Sequence, residues 1–333
     1  MTLSVKDFST RVRVGEPQRS GILTLYPLFA TAANTAEAGH DKPAYLLLGE
    51  ALDSGKFEIG EISESGSVNT VIITNMTGLP VLILDGEEIM GAKQNRMVNA
   101  TILVAAGSKT AVPVSCVERG RWHYESNKFE QSETFGYSSL RRQKAEQVQY
   151  SLRRDQSFAA DQAAIWEEID TCHLNLKTEA PTGALRDSYH SRAGELDKMI
   201  EGLKHQPGQL GVMVYIKNRF ACLDLFDQSE TLAKLWSRLL KSYAIEALSA
   251  RQRARKEPHP TPASVIGVID KSEYMTYPSV SLGLDLRLNG PGIIGAGLLV
   301  DEKIVHLSVF PREENAVDIG DINTPLRRRR NIS

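Results

Sequence analysis

The chain has 333 residues, of which 41% are hydrophobic and 24% charged, with a formal net charge of -2. That length can bury a substantial core without disulfides or metals, and the near-neutral charge excludes a global attraction to nucleic acid or anionic membranes. Three widely spaced cysteines, an odd number, do not form a disulfide framework. The first residues lack the apolar run of a signal peptide, and no apolar stretch is long enough to span a bilayer. We therefore expect a cytoplasmic protein.

Residues 20–124 predict a β-rich region. Short apolar or β-branched runs, such as Gly21 to Ala30 ("GILTLYPLFA") and Ser67 to Asn75 ("SVNTVIITN"), are separated by Gly, Ser and Asp. Strand signals that recur about every ten residues favour an antiparallel β-sandwich or a barrel-like sheet over βαβ units.

The composition changes after this region. Residues 138–206 are rich in Gln, Ala, Arg and Glu and predict a helical middle region. Its first part, Ser138 to Leu176, lacks Gly and Pro and predicts one or two helices. Its second part, Leu185 to Gln206, predicts a further helical stretch that ends before Pro207.

Residues 209–311 predict a mixed segment that returns to strands. Two short strands come first, followed by a long helix that runs to Lys256 and has Ser229 as its N-cap. More strands and tight turns follow Tyr277. These features predict a single integrated α+β domain over residues 1–320, with the helical region packed on the sheet and strands resuming toward the C-terminus.

The stretch Gly86 to Arg96 ("GEEIMGAKQNR") is far more polar than the apolar runs on either side of it. The run that follows, "MVNATILV", leads through the loop "AAGSK", where Gly107 can supply a positive φ, into a return strand, "TAVPVSCV". A second polar cluster, Glu118 to Tyr124 ("ERGRWHY"), comes after that strand. Antiparallel pairing would bring both polar clusters to the same end of the sheet, and this predicts a site there.

The two clusters combine carboxylates, cationic groups, amides and a large aromatic ring. The candidate catalytic residues are Glu87 and Glu88, acting as a general base or as oxygen ligands of a divalent cation. Guanidinium, ammonium and amide groups suit a phosphate or a carboxylate, and an indole ring can stack on a base or a sugar. The candidate ligand-binding residues are Lys93, Gln94, Asn95, Arg96, Glu118, Arg121, Trp122 and His123.

Two hypotheses follow from these residues. In the first, the protein is an enzyme of hydrolase or transferase type, or a binding protein, for a phosphorylated or nucleotide-like small molecule. In the second, the polar cluster is a buried network of salt bridges and amides that pins a loop between strands, in a sensing, scaffold or protein-interaction module. The sequence does not identify a cofactor. The paired carboxylates could hold a divalent cation.

Other candidates have weaker patterns. Cys116 is followed by arginines at the third and fifth positions, but no helix follows and strand alternation places it on an apolar face, which favours a buried cysteine over a nucleophile. The histidines are not spaced as metal ligands, and no metal site is predicted. Residues 312–333 predict a polar, flexible tail. Its arginines, Arg327 to Arg330, either form a solvated end, which the pattern favours, or contact a nucleic acid or an acidic partner.

The run from Val81 to Trp122, "VLILDGEEIMGAKQNRMVNATILVAAGSKTAVPVSCVERGRW", resembles the core signature of a bacterial family of unknown function, the ARG and rhodanese-phosphatase-superfamily-associated protein domain. Further similar segments are Leu25 to Phe29 ("LYPLF"), Leu48 to Leu52 ("LGEAL") and Cys222 to Leu248. The resemblance covers residues 20–250, and the motifs "GEE..GAKQNR" and "PVSCVE.GRW" are its most specific part.

The family's name implies association with ADP-ribosylglycohydrolase and rhodanese-phosphatase-like proteins. Through that association, the resemblance implies action near NAD-derived or ADP-ribosylated compounds. The signature covers every candidate site residue named above except His123, and the family assigns a catalytic role to none of them. The expected partners are therefore a small phosphorylated or nucleotide-like ligand and either a protein partner or a second copy of the chain. Neither a membrane nor a nucleic acid is expected.

Overall fold

A computed structural model describes residues 7–31, 44–63, 69–126, 128–250 and 260–312. Within these residues the chain forms eight helices: α1 (Phe8–Arg11), α2 (Leu48–Asp53), α3 (Ser138–Asp155), α4 (Gln162–Leu176), α5 (Leu185–Ser191), α6 (Ala193–Ile200), α7 (Ser229–Ser249) and α8 (Pro262–Lys271). Within the same residues it forms eighteen strands: β1 (Val12–Val14), β2 (Gln18–Ser20), β3 (Leu23–Ala30), β4 (Leu46–Leu47), β5 (Phe57–Glu61), β6 (Thr70–Asn75), β7 (Val81–Ile83), β8 (Glu87–Gly91), β9 (Arg96–Val98), β10 (Ile102–Val104), β11 (Ser108–Cys116), β12 (Phe129–Phe135), β13 (Gln209–Ile216), β14 (Arg219–Phe226), β15 (Glu273–Pro278), β16 (Leu284–Gly290), β17 (Ile293–Val300) and β18 (Lys303–Pro311).

The described strands form three sheets. The largest has nine strands in the order β1-β3-β13-β14-β18-β17-β16-β15, with β2 also paired to β3. A three-stranded sheet has the order β10-β7-β4, and its β4–β7 pair is parallel. A six-stranded sheet has the order β12-β8-β9-β11-β6-β5. The predicted fold class is confirmed: antiparallel sheets, a helical middle region and strands that resume toward the C-terminus.

Two-residue turns connect consecutive strands of the nine-stranded sheet. Lys217 and Asn218, between β13 and β14, have φ values of 51° and 62°, and Asp301 and Glu302, between β17 and β18, have values of 49° and 63°. Two successive left-handed residues match the right-handed twist of the strands that they join. These strands can therefore pair directly with their neighbours in the chain.

The helical middle region contains two long helices at its start. Gln156 takes a left-handed conformation with φ 54° where α3 ends. Asp161 then caps α4, because its Oδ1 accepts hydrogen bonds from the amides of Ala163 and Ala164 at 2.9 and 3.2 Å. The segment that the sequence assigned to one or two helices is therefore two helices with a capped break between them.

Helix α7 begins at Ser229 and has Gln228 at its N-cap, so the predicted cap is wrong by one residue. Its predicted continuation to Lys256 falls mostly in residues 251–259, which lie outside the described residues. The buried face of α7 belongs to the largest hydrophobic cluster of the core. That cluster combines side chains from the first strands, the helical region and the last strands, for example Leu25, Leu140, Leu239 and Leu298.

The apolar run that follows the GEE stretch changes sheet. Its first part, β9, pairs antiparallel with β11, as the sequence predicts, and the register places Arg96 opposite Cys116. Its second part, β10, pairs with β7 instead, while the start of β11 pairs with β6. The expected simple hairpin is therefore wrong, although Gly107 in its loop has the expected positive φ, 64°.

A buried ion pair joins α3 to the nine-stranded sheet. Arg141 donates from Nη1 and Nη2 to Asp224 Oδ2 and Oδ1, at 3.1 and 2.7 Å. Tyr243 Oη and Ser308 Oγ donate to the same carboxylate at 2.6 and 2.8 Å. Burial acts to raise the pKa of Asp224, but the charge of Arg141 holds it well below its usual range. The carboxylate is therefore ionised and fully partnered in the core.

A second buried pair lies one turn further along α3. Lys144 forms an ion pair with Asp85 and donates a hydrogen bond to the Val98 carbonyl at 2.5 Å. Burial lowers the pKa of Lys144 to about 8, although Asp85 opposes that change. A third buried pair, Arg287 and Asp285, contributes to the same electrostatic environment. Charged side chains thus connect the sheets from inside the fold.

No helix in the described part of the chain is long and apolar enough to cross a membrane. The predicted tail lies outside the described residues except for Arg312, which donates to Asn289 Oδ1 at 2.6 Å. Its arginines, Arg327 to Arg330, are likewise outside them.

We expect Asp224→Asn to lower the free energy of unfolding by about 3–5 kcal/mol, because it leaves the charge of Arg141 buried without a counter-ion. Urea unfolding followed by circular dichroism measures this loss. Lys128→Ala, which removes a pair with Glu58 in which both side chains are more than half exposed, is the control and should change stability by about 0–1 kcal/mol. Similar losses in the two variants would contradict the structural role of Asp224.

Candidate functional site

The backbone of the stretch Gly86 to Arg96 depends on two glycines. Gly86 and Gly91 have φ values of 95° and 117°. A Cβ at Gly86 would lie 2.8 Å from Arg141 Cδ, and a Cβ at Gly91 would lie 2.7 Å from the Lys128 carbonyl oxygen. Only glycine avoids both the backbone strain and the contact at each place. The stretch therefore forms β8, turns tightly and enters β9.

Arg121 is the centre of the polar cluster at this end of the six-stranded sheet. Its Nε donates to Glu118 Oε2 at 2.8 Å, and its Nη2 lies 2.6 Å from the same oxygen. Its Nη1 donates to the carbonyls of Ala92 and His123 at 2.8 and 3.2 Å, and its Nη2 to Asn95 Oδ1 at 3.0 Å. One guanidinium thus holds together the two polar segments that the sequence predicts to converge.

The amides and the arginine of the turn point inward. Gln94 Nε2 donates to the Glu118 carbonyl at 2.9 Å, and the Asn95 amide donates to Glu118 Oε2 at 3.2 Å. Arg96 donates from Nη1 to Gln94 Oε1 at 3.1 Å, and its Nη2 lies 3.7 Å from the Glu61 carboxylate. Gln94, Asn95 and Arg96 are 5%, 0% and 0% exposed. The three side chains are therefore almost fully shielded from solvent, and their segment is tied to Glu118 by the Gln94 side chain and the Asn95 amide.

Glu87 and Glu88 point in opposite directions, because successive side chains of a strand alternate between the two faces of a sheet. Glu87 Oε1 accepts from Arg238 Nη1 at 2.6 Å and from Gln131 Nε2 at 3.0 Å. Glu88 Oε2 accepts from Ser132 Oγ at 2.7 Å, on the other side of β8. This geometry does not let the two carboxylates hold one divalent cation between them, as a pair of ligands would.

The environments of Glu88 and Glu118 affect their protonation in opposite ways. Burial raises the pKa of Glu88 to about 7, against an ordinary value of 4.5, and a hydrogen bond from Ser132 only partly opposes it. Burial also acts on Glu118, but hydrogen bonds from Arg121 and from the Asn95 amide hold its pKa below its ordinary value. The two neighbouring carboxylates therefore titrate in different pH ranges, Glu118 at lower pH than Glu88.

The exposed part of the cluster is a group of four residues, Lys93, Trp122, His123 and Tyr124, which we call the aromatic rim. The Lys93 ammonium lies 5.5 Å from the Trp122 ring centroid and 5.1 Å from that of Tyr124. The rings are 47% and 46% exposed, and His123 is exposed as well. Within the cluster, the rim is the part that a ligand in solution can touch.

Cys116 lies beneath the rim and is 0% exposed. Burial raises the pKa of its thiol, which is the opposite of what an activated nucleophile requires. Its Sγ donates to the Glu118 carbonyl at 3.3 Å. In the described residues no three His, Cys, Asp or Glu side chains come together as metal ligands would.

The chain matches the ARG and Rhodanese-Phosphatase-superfamily-associated Protein domain over residues 11–310. It belongs to this family. The match extends beyond residues 20–250, the extent expected from the motifs, and includes the C-terminal strands β15 to β18. Searches of the curated proteins and of the solved structures found no match.

Three residues complete the contacts of the family signature but carry no signal in the sequence. Arg238 holds Glu87, Ser132 holds Glu88, and Glu61 lies beside Arg96. Arg238 is 151 positions from Glu87 and follows Lys234 by one helical turn, a spacing that also fits a solvated helix face. No local pattern separates such a buried arginine from an exposed one.

We expect Glu88→Gln to change how stability depends on pH. The folded protein holds the Glu88 proton more tightly than the unfolded chain, so this contribution is full below pH 4.5 and is lost as the pH rises to about 7. At ~1.4 kcal/mol per pKa unit, it amounts to roughly 3 kcal/mol. Urea unfolding across this range should therefore show the variant gaining stability relative to wild type as the pH rises.

Glu118→Gln is the matched control, because the pKa of Glu118 is lowered. Its contribution is present above the unfolded-state pKa and is lost as the pH falls, so this variant should approach wild type toward acid. A pH dependence of the same sign in both variants would contradict the assigned environments.

Proposed function

We propose that this protein binds a phosphorylated, nucleotide-like small molecule at the aromatic rim. The observation that carries the proposal is the position of the Lys93 ammonium, 5.5 Å and 5.1 Å from the centroids of two half-exposed rings, Trp122 and Tyr124. Accessible aromatic faces stack on bases or sugars, and an ammonium group binds phosphate. The rim presents both kinds of group to the same ligand, with His123 as a further exposed donor or acceptor.

A buried cation supports the same ligand from below. The Arg96 guanidinium lies 5.6 Å from the Trp122 centroid and is 0% exposed. The Glu61 carboxylate, 3.7 Å from its Nη2, balances part of this charge. The guanidinium therefore packs against the ring that we propose as the stacking surface and helps to hold it in place.

The remaining candidate residues act in this proposal by holding the rim in place. Arg121 binds the carbonyls of Ala92 and His123, which are chain neighbours of Lys93 and of the two aromatic residues. Gln94, Asn95 and Glu118 complete the network beneath them. A surface fixed before the ligand arrives loses less conformational entropy on binding.

A second candidate function is hydrolase or transferase chemistry on the same class of ligand, with Glu88 as general acid or base. The pKa of about 7 favours it, because proton transfer is most effective when that value is close to the working pH. Glu88 is however 0% exposed, so its network must open before a substrate can reach it. Glu87, held by Arg238 on the opposite face of β8, would not take part in that step. Binding is therefore our first proposal.

We also infer the setting in which the site works. The largest core cluster combines side chains from the N-terminal strands, the helical region and the C-terminal strands, from Leu23 to Phe310, and this supports one integrated domain over residues 1–320. The three cysteines are buried and form no disulfide, which supports a reducing, cytoplasmic compartment. The family's name records association with other proteins, so a protein partner belongs to the proposal.

Isothermal titration with ADP-ribose, ADP and ribose 5-phosphate tests the rim. We expect at least one of them to bind the wild type, and Trp122→Ala to weaken that binding roughly tenfold, since stacking on an aromatic side chain contributes about 1–3 kcal/mol. Lys93→Gln should weaken the phosphorylated ligands and leave the fold unchanged, because its side chain is partly exposed.

Tyr150→Ala is a matched control, since Tyr150 is also a half-exposed ring, with the Arg154 guanidinium 5.4 Å from its centroid. It should leave the affinity unchanged. Equal losses in Tyr150→Ala and Trp122→Ala, or no binding of any of the three ligands, would refute the proposal. Turnover of a bound ligand that is lost in Glu88→Gln would favour the enzyme.

A further inference from the structure

Arg238 lies where α7 packs on the six-stranded sheet, and its side chain is only 9% exposed. Its Nη1 donates to Glu87 Oε1 at 2.6 Å. Its guanidinium carbon lies 5.7 Å from the Phe135 ring centroid. The contacts of Arg238 are therefore one carboxylate at one nitrogen and an aromatic ring.

The other edge of this guanidinium, Nε and Nη2, is buried and has no hydrogen-bond partner among the described residues. These two N–H groups point the same way and can bind two oxygens at once, or one shared oxygen. Arg121 provides an example in this fold, because its Nε and Nη2 both reach Glu118 Oε2, at 2.8 and 2.6 Å. The corresponding edge of Arg238 thus has the geometry to bind a carboxylate or phosphate.

A buried donor without an acceptor is costly. The penalty is about 1–3 kcal/mol for an ordinary polar group and larger for a charged one. Native proteins leave few such groups, and each one calls for a physical explanation. Here two nitrogens of one charged side chain, Nε and Nη2 of Arg238, are buried donors without an acceptor among the described residues. One anionic acceptor that binds both nitrogens would remove this free-energy penalty.

Exposure increases along the same face of α7, from Arg238 toward Lys234 one turn earlier. The Lys234 side chain is 38% exposed, and its ammonium lies 2.7 Å from Glu50 and 2.8 Å from Glu230. Glu87, on the inner side, is 2% exposed. Lys234 is thus a second cation on this face of α7, closer to solvent than Arg238.

We propose that the Nε–Nη2 edge of Arg238 binds an oxyanion of a small molecule, either a carboxylate or a phosphate group, and that Lys234 assists from the outer end. Glu87 already balances the charge of Arg238, so the incoming anion needs this second cation. Of the two carboxylates that share Lys234, Glu230 is the more exposed and can turn into water, whereas Glu50 Oε2 accepts from the Leu47 amide at 2.9 Å.

This site differs from the aromatic rim. Glu87 and Glu88 are consecutive in β8, and alternation sends Glu87 toward Arg238 and Glu88 toward Ser132 and Asn95. The rim is connected to the Glu88 face of β8, because Arg121 donates both to the His123 carbonyl and to Asn95 Oδ1. The proposal does not rest on the rim, and variants of the two sites can be compared directly.

The test uses the full chain and two simple anions, inorganic phosphate and acetate, each compared with sodium chloride at the same ionic strength. We expect at least one anion to raise the melting temperature of the wild type above the chloride value, through binding to the folded state. Arg238→Lys keeps the charge but loses the two-donor edge, and its apparent affinity should fall about tenfold or more. A response to phosphate alone identifies a phosphate site, and a response to acetate identifies a carboxylate site.

Two further variants keep the test decisive if Arg238→Lys does not fold. Lys234→Gln, at a partly exposed position, should weaken the response roughly twofold to fivefold, as expected for one exposed charge. Lys109→Gln, at an exposed position on β11, should leave it unchanged. The proposal is overturned if neither anion stabilises the wild type beyond chloride, or if Arg238→Lys and Lys234→Gln respond as the wild type does. It is also overturned if the response disappears in Lys93→Gln, because the anion then binds the rim.

Discussion

The bidentate pair between Arg141 and Asp224 is the interaction on which the arrangement of this protein depends. A carboxylate buried in the nine-stranded sheet is tolerated only when charge and hydrogen bonds replace its hydration. Arg141, Tyr243 and Ser308 supply them from α3, α7 and β18, so those elements must meet at Asp224. The same arginine also packs against Gly86, where a side chain would collide with it. The Arg141–Asp224 pair therefore fixes the position of the backbone at Gly86, the first residue of the polar stretch that forms the candidate site.

Strand alternation sends the two carboxylates that follow Gly86, those of Glu87 and Glu88, to opposite faces of β8. Glu87 faces α7 and meets Arg238, whereas Glu88 faces the network around Asn95. The two adjacent acids of the motif, Glu87 and Glu88, therefore lie in two different environments on opposite faces of β8. One environment holds an exposed rim through hydrogen bonds among its own groups. The other leaves the Nε–Nη2 edge of Arg238 without a hydrogen-bond partner among the described residues.

Much of the fold follows from local patterns, since alternation, Gly-containing turns and helix caps act over a few residues. The convergence of the two polar clusters was also predictable, because antiparallel pairing of the strands beside them brings both clusters to the same end of the sheet. Strands β9 and β11 make that pairing, with Arg96 opposite Cys116. The buried charges were not predictable. Arg141 lies in a run rich in Arg, Lys and Gln that fits a solvated helix, and its partner Asp224 is 83 positions away. Hydrophobic periodicity cannot distinguish a charge facing water from one facing a distant counter-ion.

Our proposals depend on which polar groups already have hydrogen-bond partners, and not on where polar residues are most concentrated. Gln94, Asn95, Glu118 and Arg121 are the most polar part of the signature, yet they bind one another and offer a ligand nothing without first losing those bonds. In our two proposals, recognition instead belongs to groups that the network holds in place but leaves available to a ligand. The half-exposed Trp122 ring and the buried edge of Arg238 meet that condition, on opposite sides of β8. A rigid polar network and a binding protein are therefore compatible, because the first supplies the fixed geometry that the second requires.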